Sequence, residues 1–150
     1  MRVRMTGLAA LLAVGTTACD PVYTMDVRQS LVPSPAADCV VNAVSGSAHV
    51  AEVRPRGEDV EANGYLVLFR DVRSSAVLTD RPAPDPGRVV TLSYTWLAAT
   101  GHGTREMQRM RTAAENVLAD VRAACAPESS TPPECVLTTP SSPRGPCPAA

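Results

Sequence analysis

The segment Arg88-Val-Val-Thr-Leu-Ser-Tyr-Thr-Trp-Leu97 has the clearest secondary-structure pattern in this 150-residue sequence. Large apolar residues alternate along it with small hydroxyl residues. The apolar set is Val90, Leu92, Tyr94 and Trp96, and the hydroxyl set is Thr91, Ser93 and Thr95. Because successive side chains of a strand point to opposite faces, the alternation predicts a strand in a sheet with one buried and one wetter face.

Other segments are predicted to complete this sheet. Residues 65–69 are apolar at every position and follow the turn signal Asn63-Gly64, which is typical of a central strand. Residues 48–54 have a weaker alternation, and residues 72–80 either extend the central strand or form one of their own. The sequence therefore predicts three antiparallel strands, or four if residues 72–80 are separate.

Two segments have helical periodicity. Residues 34–46 begin with Ser34-Pro35, a good N-cap followed by a residue suited to the first turn, and they have an apolar stripe that includes Cys39. The longer segment, Thr104–Cys125, has apolar residues spaced by three and four and ends before Pro127. We therefore expect an α+β domain with a short helix, the strands and a long C-terminal helix, with both helices on one face of the sheet.

The N-terminal residues have the pattern of an export signal. Arg2 and Arg4 precede a short apolar run over residues 8–14, which is shorter than the roughly 20 apolar residues that span a bilayer. The segment Gly15-Thr-Thr-Ala-Cys19 then resembles the lipobox of bacterial lipoproteins, in which small residues precede an acylated cysteine. The resemblance implies that residues 1–18 are removed and that fatty acyl chains on Cys19 anchor the protein to a membrane of the cell envelope, facing the periplasm or exterior. Ordinary signal peptidase cleavage before Cys19 is the alternative.

The number of cysteines agrees with acylation. There are five: Cys19, Cys39, Cys125, Cys135 and Cys147. An odd number in an exported protein leaves one thiol unpaired, and acylation of Cys19 leaves four that can form disulfides. The helical phase favours Cys39–Cys125, because both cysteines lie on apolar stripes, and the short separation along the chain favours Cys135–Cys147. The rival pairing joins Cys125 to Cys135 and Cys39 to Cys147.

The domain organisation follows from these patterns. Residues 1–18 are predicted to be the signal peptide, and residues 19–33 a lipid-anchored tether that reaches about 20 Å. Residues 34–126 form the small α+β domain. Residues 127–150 are rich in proline, serine and threonine and are predicted to be a disordered tail.

The composition narrows the function without naming it. The net charge of −1 argues against nucleic-acid binding, and the cysteine spacings fit no common zinc site, so no metal or cofactor is expected. The sequence contains no recognised catalytic motif. We therefore expect a non-enzymatic binding or structural module, whose partner is an envelope protein that contacts Thr91, Ser93 and Thr95 or a sheet edge. The alternatives are a hydrolase that uses His102 and a carrier of a small ligand; the charged residues 54–61 are a further candidate recognition loop.

Overall fold

The computed structural model describes residues 21–56, 64–83, 87–97 and 101–149, which form two helices and one seven-stranded antiparallel sheet. The elements are β1 (Val22–Leu31), α1 (Ala37–Gly46), β2 (Val50–Pro55), β3 (Gly64–Phe69), β4 (Ser75–Pro82), β5 (Arg88–Leu97), α2 (Thr104–Cys125), β6 (Glu134–Thr139) and β7 (Ser142–Pro146). The strand order across the sheet is β2-β3-β4-β5-β1-β6-β7.

The prediction of three or four strands was therefore wrong. Residues 75–82 form a separate strand, β4, and three further strands come from the two ends of the chain. β1 precedes the first helix, and β6 and β7 follow the second, so α2 is not the C-terminal element. Each error has a local physical cause.

The predicted tether contains the strand β1, which lies between β5 and β6. Its residues Met25, Val27 and Leu31 are fully buried, as expected for alternate positions of a strand with one face in the core. Gln29 occupies the core-facing position between Val27 and Leu31 and is also buried. A polar residue in that position interrupts the apolar alternation, and for this reason the sequence of residues 19–33 does not have the pattern of a strand.

Hydrogen bonds explain how Gln29 is accommodated in the core. Its Nε2 donates to the carbonyl oxygens of Thr131 and Ser30. The hydroxyl of Ser129, which is also buried, donates to the same Ser30 carbonyl oxygen at 3.1 Å. Buried polar groups are nearly always paired in this way. These contacts fasten the segment that follows α2 onto β1.

The predicted disordered tail contains the β6–β7 hairpin. β6 pairs with β1, with Cys135 opposite Val27, and β7 pairs with β6. A Cys135–Cys147 disulfide, with a sequence separation of 12, closes the hairpin. Prolines are tolerated here because β7 is an edge strand, whose outer groups need no partner strand. Strand pairing and the disulfide thus order a segment whose composition indicates disorder.

Both helices cover one face of the sheet. A second disulfide joins Cys39 of α1 to Cys125 of α2, with a Cα–Cα distance of 5.9 Å. The two disulfides are the pairs that helical phase and local separation favoured. The hydroxyl of Tyr94 on β5 donates to the carbonyl oxygen of Met110 on α2 at 2.9 Å, and burial raises the pKa of this tyrosine. The core therefore includes a fixed polar contact between β5 and the long helix.

The sheet has two distinct ends. The beginnings of β1 and β4 and the ends of β3 and β5 lie together, with the β3–β4 turn and the first turn of α2; we call this the Val22 end, and the opposite one the Leu31 end. The disulfide between the helices joins the beginning of α1 to the end of α2, at the Leu31 end. With 10 and 22 residues, the helices are about 15 and 33 Å long. α2 therefore extends past α1 toward the Val22 end.

Candidate functional site

The sheet face opposite the helices displays the hydroxyl residues of β5. Thr91 and Ser93 are half-buried and Thr95 is exposed, whereas the residues between them are buried. The register places Thr91 opposite Arg28 and Ser93 opposite Asp26 on β1. The three predicted residues therefore lie together on one face, which we call the open face, with two charged residues beside them.

Asp26 organises the polar part of the open face. Its Oδ1 accepts a hydrogen bond from the Ser93 hydroxyl at 2.7 Å, and its Oδ2 accepts one from the Arg28 guanidinium at 2.9 Å. Both carboxylate oxygens are thus satisfied, and the adjacent arginine balances the negative charge. The sequence did not indicate Asp26 or Arg28 as candidate residues, because both lie in the segment that it predicts to be a tether.

Aliphatic residues flank this polar group on both sides. Across neighbouring strands, the row runs in the order Leu66, Val77, Ser93, Asp26 and Val136. The three aliphatic side chains are half-buried. At a spacing of about 4.8 Å between strands, the row is about 19 Å wide. The open face is therefore a broad strip with a neutralised polar centre and aliphatic flanks.

The two edges of the sheet are less suited to binding an added strand. On β2, the register is irregular between Val50 and Glu52, and the strand ends at Pro55. Arg54 forms a hydrogen-bonded ion pair with Glu52 on this edge, which lowers the pKa of the Glu52 carboxyl. β7, at the other edge, ends in Pro146. Charges, irregular register and prolines are features that protect sheet edges from pairing.

A cleft of about 430 Å³ lies beside the first half of α2, the part of this helix that extends past α1. One wall is formed by the first half of α2, and the other by the residues before β2 and the β3–β4 turn. The polar residues of its lining include His49, Asp71, Arg105, Gln108, Arg109 and Asn116.

The two walls of the cleft differ in charge. α2 contributes the cations Arg105 and Arg109, of which Arg109 lies 3.9 Å from the carboxylate of Glu106. The facing wall contributes Asp71 and the imidazole of His49. The cleft can therefore contact a small molecule that has both anionic and hydrogen-bond donor groups.

His102 is half-buried, and its imidazole packs edge-to-face with the indole of Trp96, with the two ring centroids 5.1 Å apart. An edge-to-face arrangement is a usual packing contact for aromatic rings. Among the described residues, no group of three or more His, Cys, Asp or Glu side chains could hold a metal ion. Cys19 and residues 57–61 of the predicted recognition loop lie outside the described residues.

Within the described ranges, no helix has the length and apolar character needed to cross a membrane.

Comparisons with known proteins add no family to this description. No protein-family model matches the chain, and no curated protein matches it at a significant level.

Proposed function

We propose that this protein is a lipoprotein, anchored through Cys19 to a membrane of the bacterial cell envelope, whose domain binds another envelope protein without catalysing a reaction. The observation that carries the binding proposal is the uneven covering of the sheet. The helices cover one face, whereas the other displays a hydrogen-bonded polar centre between half-buried aliphatic residues. Mixed surfaces of this kind are typical of non-obligate protein interfaces.

The chemistry of the open face indicates what the partner surface contains. The charge of Asp26 is balanced by Arg28, and its oxygens are occupied. A charged partner group would have to displace these bonds and desolvate the pair, which is costly. The hydroxyl groups of Thr91 and Thr95 offer neutral hydrogen bonds instead. We therefore expect a partner surface of aliphatic, hydroxyl and amide groups.

Two disulfides support the proposed location outside the cytosol. They join Cys39 to Cys125 and Cys135 to Cys147. Disulfides persist in oxidising compartments such as the bacterial periplasm and are rare in the cytosol. The mature chain would then have no unpaired thiol if Cys19 is acylated.

Acylation is tested by mass spectrometry of the protein purified from membranes. The native protein is expected to begin at Cys19 and to have the added mass of its acyl chains. The Cys19→Ala variant is expected to lose this mass and to leave the membrane fraction. An unmodified Cys19 thiol in the native protein would contradict the proposed anchor.

Binding through the open face is tested by photo-crosslinking in cells. A crosslinking residue at exposed Thr95 is compared with one at Ala123, which is exposed on α2. We expect Thr95 to capture the same envelope protein reproducibly, and Ala123 not to capture it. The captured protein is then purified, and Thr95→Arg is expected to weaken its binding at least tenfold, whereas Ala123→Arg leaves it unchanged. Equal capture at both positions would contradict the proposal.

The cleft supports a second candidate, a carrier of a small polar ligand. Its volume of about 430 Å³ lies within the usual range of ligand sites, and its walls have opposite charges. NMR titration with small dicarboxylates and with free amino acids tests it. Shifts confined to residues around Arg105 and His49, reduced in Arg105→Gln but not in Arg54→Gln, would support a carrier. The packing of His102 on Trp96 supports a structural role for this histidine rather than a hydrolase.

A further inference from the structure

The position of β1 limits how far the domain can lie from its anchor. Only three residue steps separate Cys19 from Val22, the first residue of β1. Three extended residues span at most about 10 Å. Val22 pairs with Leu97 of β5, and β1 is paired on both sides from Thr24 onward, so its first residue cannot move independently of the sheet. If Cys19 is acylated, the Val22 end is therefore held within about 10 Å of the lipid-bearing residue.

Exposed aliphatic residues lie at this same end. Val22 and Leu97 are direct cross-strand partners, and their exposed fractions are 47% and 45%. Adjacent apolar side chains of this kind can enter the boundary between the headgroups and the acyl chains. On the core-facing side of the same two strands, Tyr23 stacks on buried Trp96 at a centroid distance of 5.8 Å, and this contact helps to hold the strand ends that display Val22 and Leu97.

Exposed cations also lie at the Val22 end. Arg70 and Arg73 are in the β3–β4 turn, and Arg105 is in the first turn of α2. The carboxylate of Asp71 lies in the same turn, and Glu106 lies close to Arg109. Apart from Arg109, which is close to Glu106, three exposed arginines therefore outnumber the one exposed carboxylate among the described residues of this end. Anionic headgroups attract arginines near the membrane surface.

We propose that the Val22 end is a membrane-contacting surface, with Val22 and Leu97 at the level of the headgroups and Arg70, Arg73 and Arg105 facing anionic lipids. The proposal rests on the proposed acylation of Cys19. The strands then stand away from the bilayer, and the open face is accessible from the side. The predicted tether of about 20 Å would have allowed no fixed orientation.

The proposal is tested with the full mature lipoprotein in vesicles of dibrominated phosphatidylcholine and phosphatidylglycerol. Bromine quenches tryptophan fluorescence only at short range, so a new tryptophan reports its contact with lipid. Leu97→Trp is compared with Val32→Trp, a matched control because Val32 is 52% exposed and lies beyond the Leu31 end. Native Trp96 is common to both proteins, and its signal is subtracted using the unsubstituted protein.

We expect bromolipid to quench Leu97→Trp roughly twofold more than Val32→Trp, because only Leu97 is placed at the boundary between the headgroups and the acyl chains. Val22→Trp provides a second reporter in case one substitution disturbs folding, which circular dichroism reveals. Equal quenching of reporters at the two ends, or no quenching at either, would overturn the proposal. Mass spectrometry of the same samples shows whether Cys19 is acylated, so a failure of the anchor is distinguishable from a failure of the orientation.

The role of the arginines is tested by replacing Arg70, Arg73 and Arg105 with glutamine. The ratio of docked to undocked molecules is expected to fall about fivefold per arginine in vesicles that contain phosphatidylglycerol. The matched control replaces Arg54, Arg56 and Arg81, which are exposed toward the Leu31 end, and is expected to leave quenching unchanged. Equal losses in the two variants, or the same quenching without phosphatidylglycerol, would overturn the contact with anionic lipid.

Discussion

β5 and β1 lie side by side in the middle of the sheet, yet only β5 could be recognised from the sequence. They pair along their full length, from Val22 opposite Leu97 to Leu31 opposite Arg88. In β5 every core-facing position of the alternation is apolar, whereas in β1 one of these positions is Gln29. The comparison shows that one buried polar residue makes a central strand hard to recognise from its sequence. Such a residue is tolerated in the core because a distant segment provides its hydrogen bonds.

The largest expected effect on stability comes from removing the two disulfides one at a time. Removing the Cys39–Cys125 disulfide, by replacing both cysteines with alanine, is expected to lower the free energy of unfolding by about 4–5 kcal/mol, because it closes a separation of 86 residues. Removing Cys135–Cys147, with a separation of 12, is expected to cost about 3 kcal/mol. Denaturant unfolding measures both. The reverse order would contradict the expectation that closing the longer loop stabilises the domain more.

The next largest effect is the loss of stability when one core residue of each strand is shortened: Val27 on β1 and Leu92 on β5. These residues are cross-strand partners, and both are fully buried. Leu92→Ala is expected to cost about 3 kcal/mol and Val27→Ala about 2 kcal/mol, because each leaves a cavity in the core. Urea unfolding of the two variants measures these losses. A cost below about 0.5 kcal/mol for Val27→Ala is the value expected for an exposed tether and would contradict the central position of β1.

A smaller effect is expected when Gln29 is replaced by leucine. The change completes the apolar alternation of β1, yet we expect it to destabilise the protein by about 1 kcal/mol because the hydrogen bonds to Thr131 and Ser30 are lost. Hydrogen exchange should also become faster in residues 126–133. A gain in stability with unchanged exchange would show that these bonds do not hold the segment in place.

Tyr94 provides the corresponding test on β5, as a dependence on pH. Burial raises the pKa of its hydroxyl above the usual value of about 10, and the hydroxyl donates to Met110. The raised pKa contributes stability that is intact below pH about 10 and is lost as the pH rises further, because the unfolded chain then gains by ionising. Tyr94→Phe is expected to cost about 1 kcal/mol at neutral pH and to make alkaline unfolding less steep. Denaturant unfolding of the native protein and of Tyr94→Phe at several pH values measures both the loss of stability and its dependence on pH.

The sequence predicted the parts of the fold that depend on local patterns. The alternation in residues 88–97 identified β5 and its hydroxyl face, and helical phase identified both helices and the cysteines that are paired. β6 and β7 could not be predicted, because their order depends on pairing with β1 and on a disulfide rather than on apolar periodicity. The cleft could not be predicted either, since it results from the different lengths of two helices and from the β3–β4 turn.

Native-state hydrogen exchange of the backbone amides in β1 and β5 tests the central claim most directly, since the membrane proposal depends on β1 being a fixed central strand. If β1 is paired on both sides, the amides of Met25 and Val27 should exchange as slowly as those of Leu92 and Tyr94, with a free energy of opening close to that of global unfolding. Exchange of the β1 amides at the rate of an unstructured peptide, with β5 still protected, would contradict it.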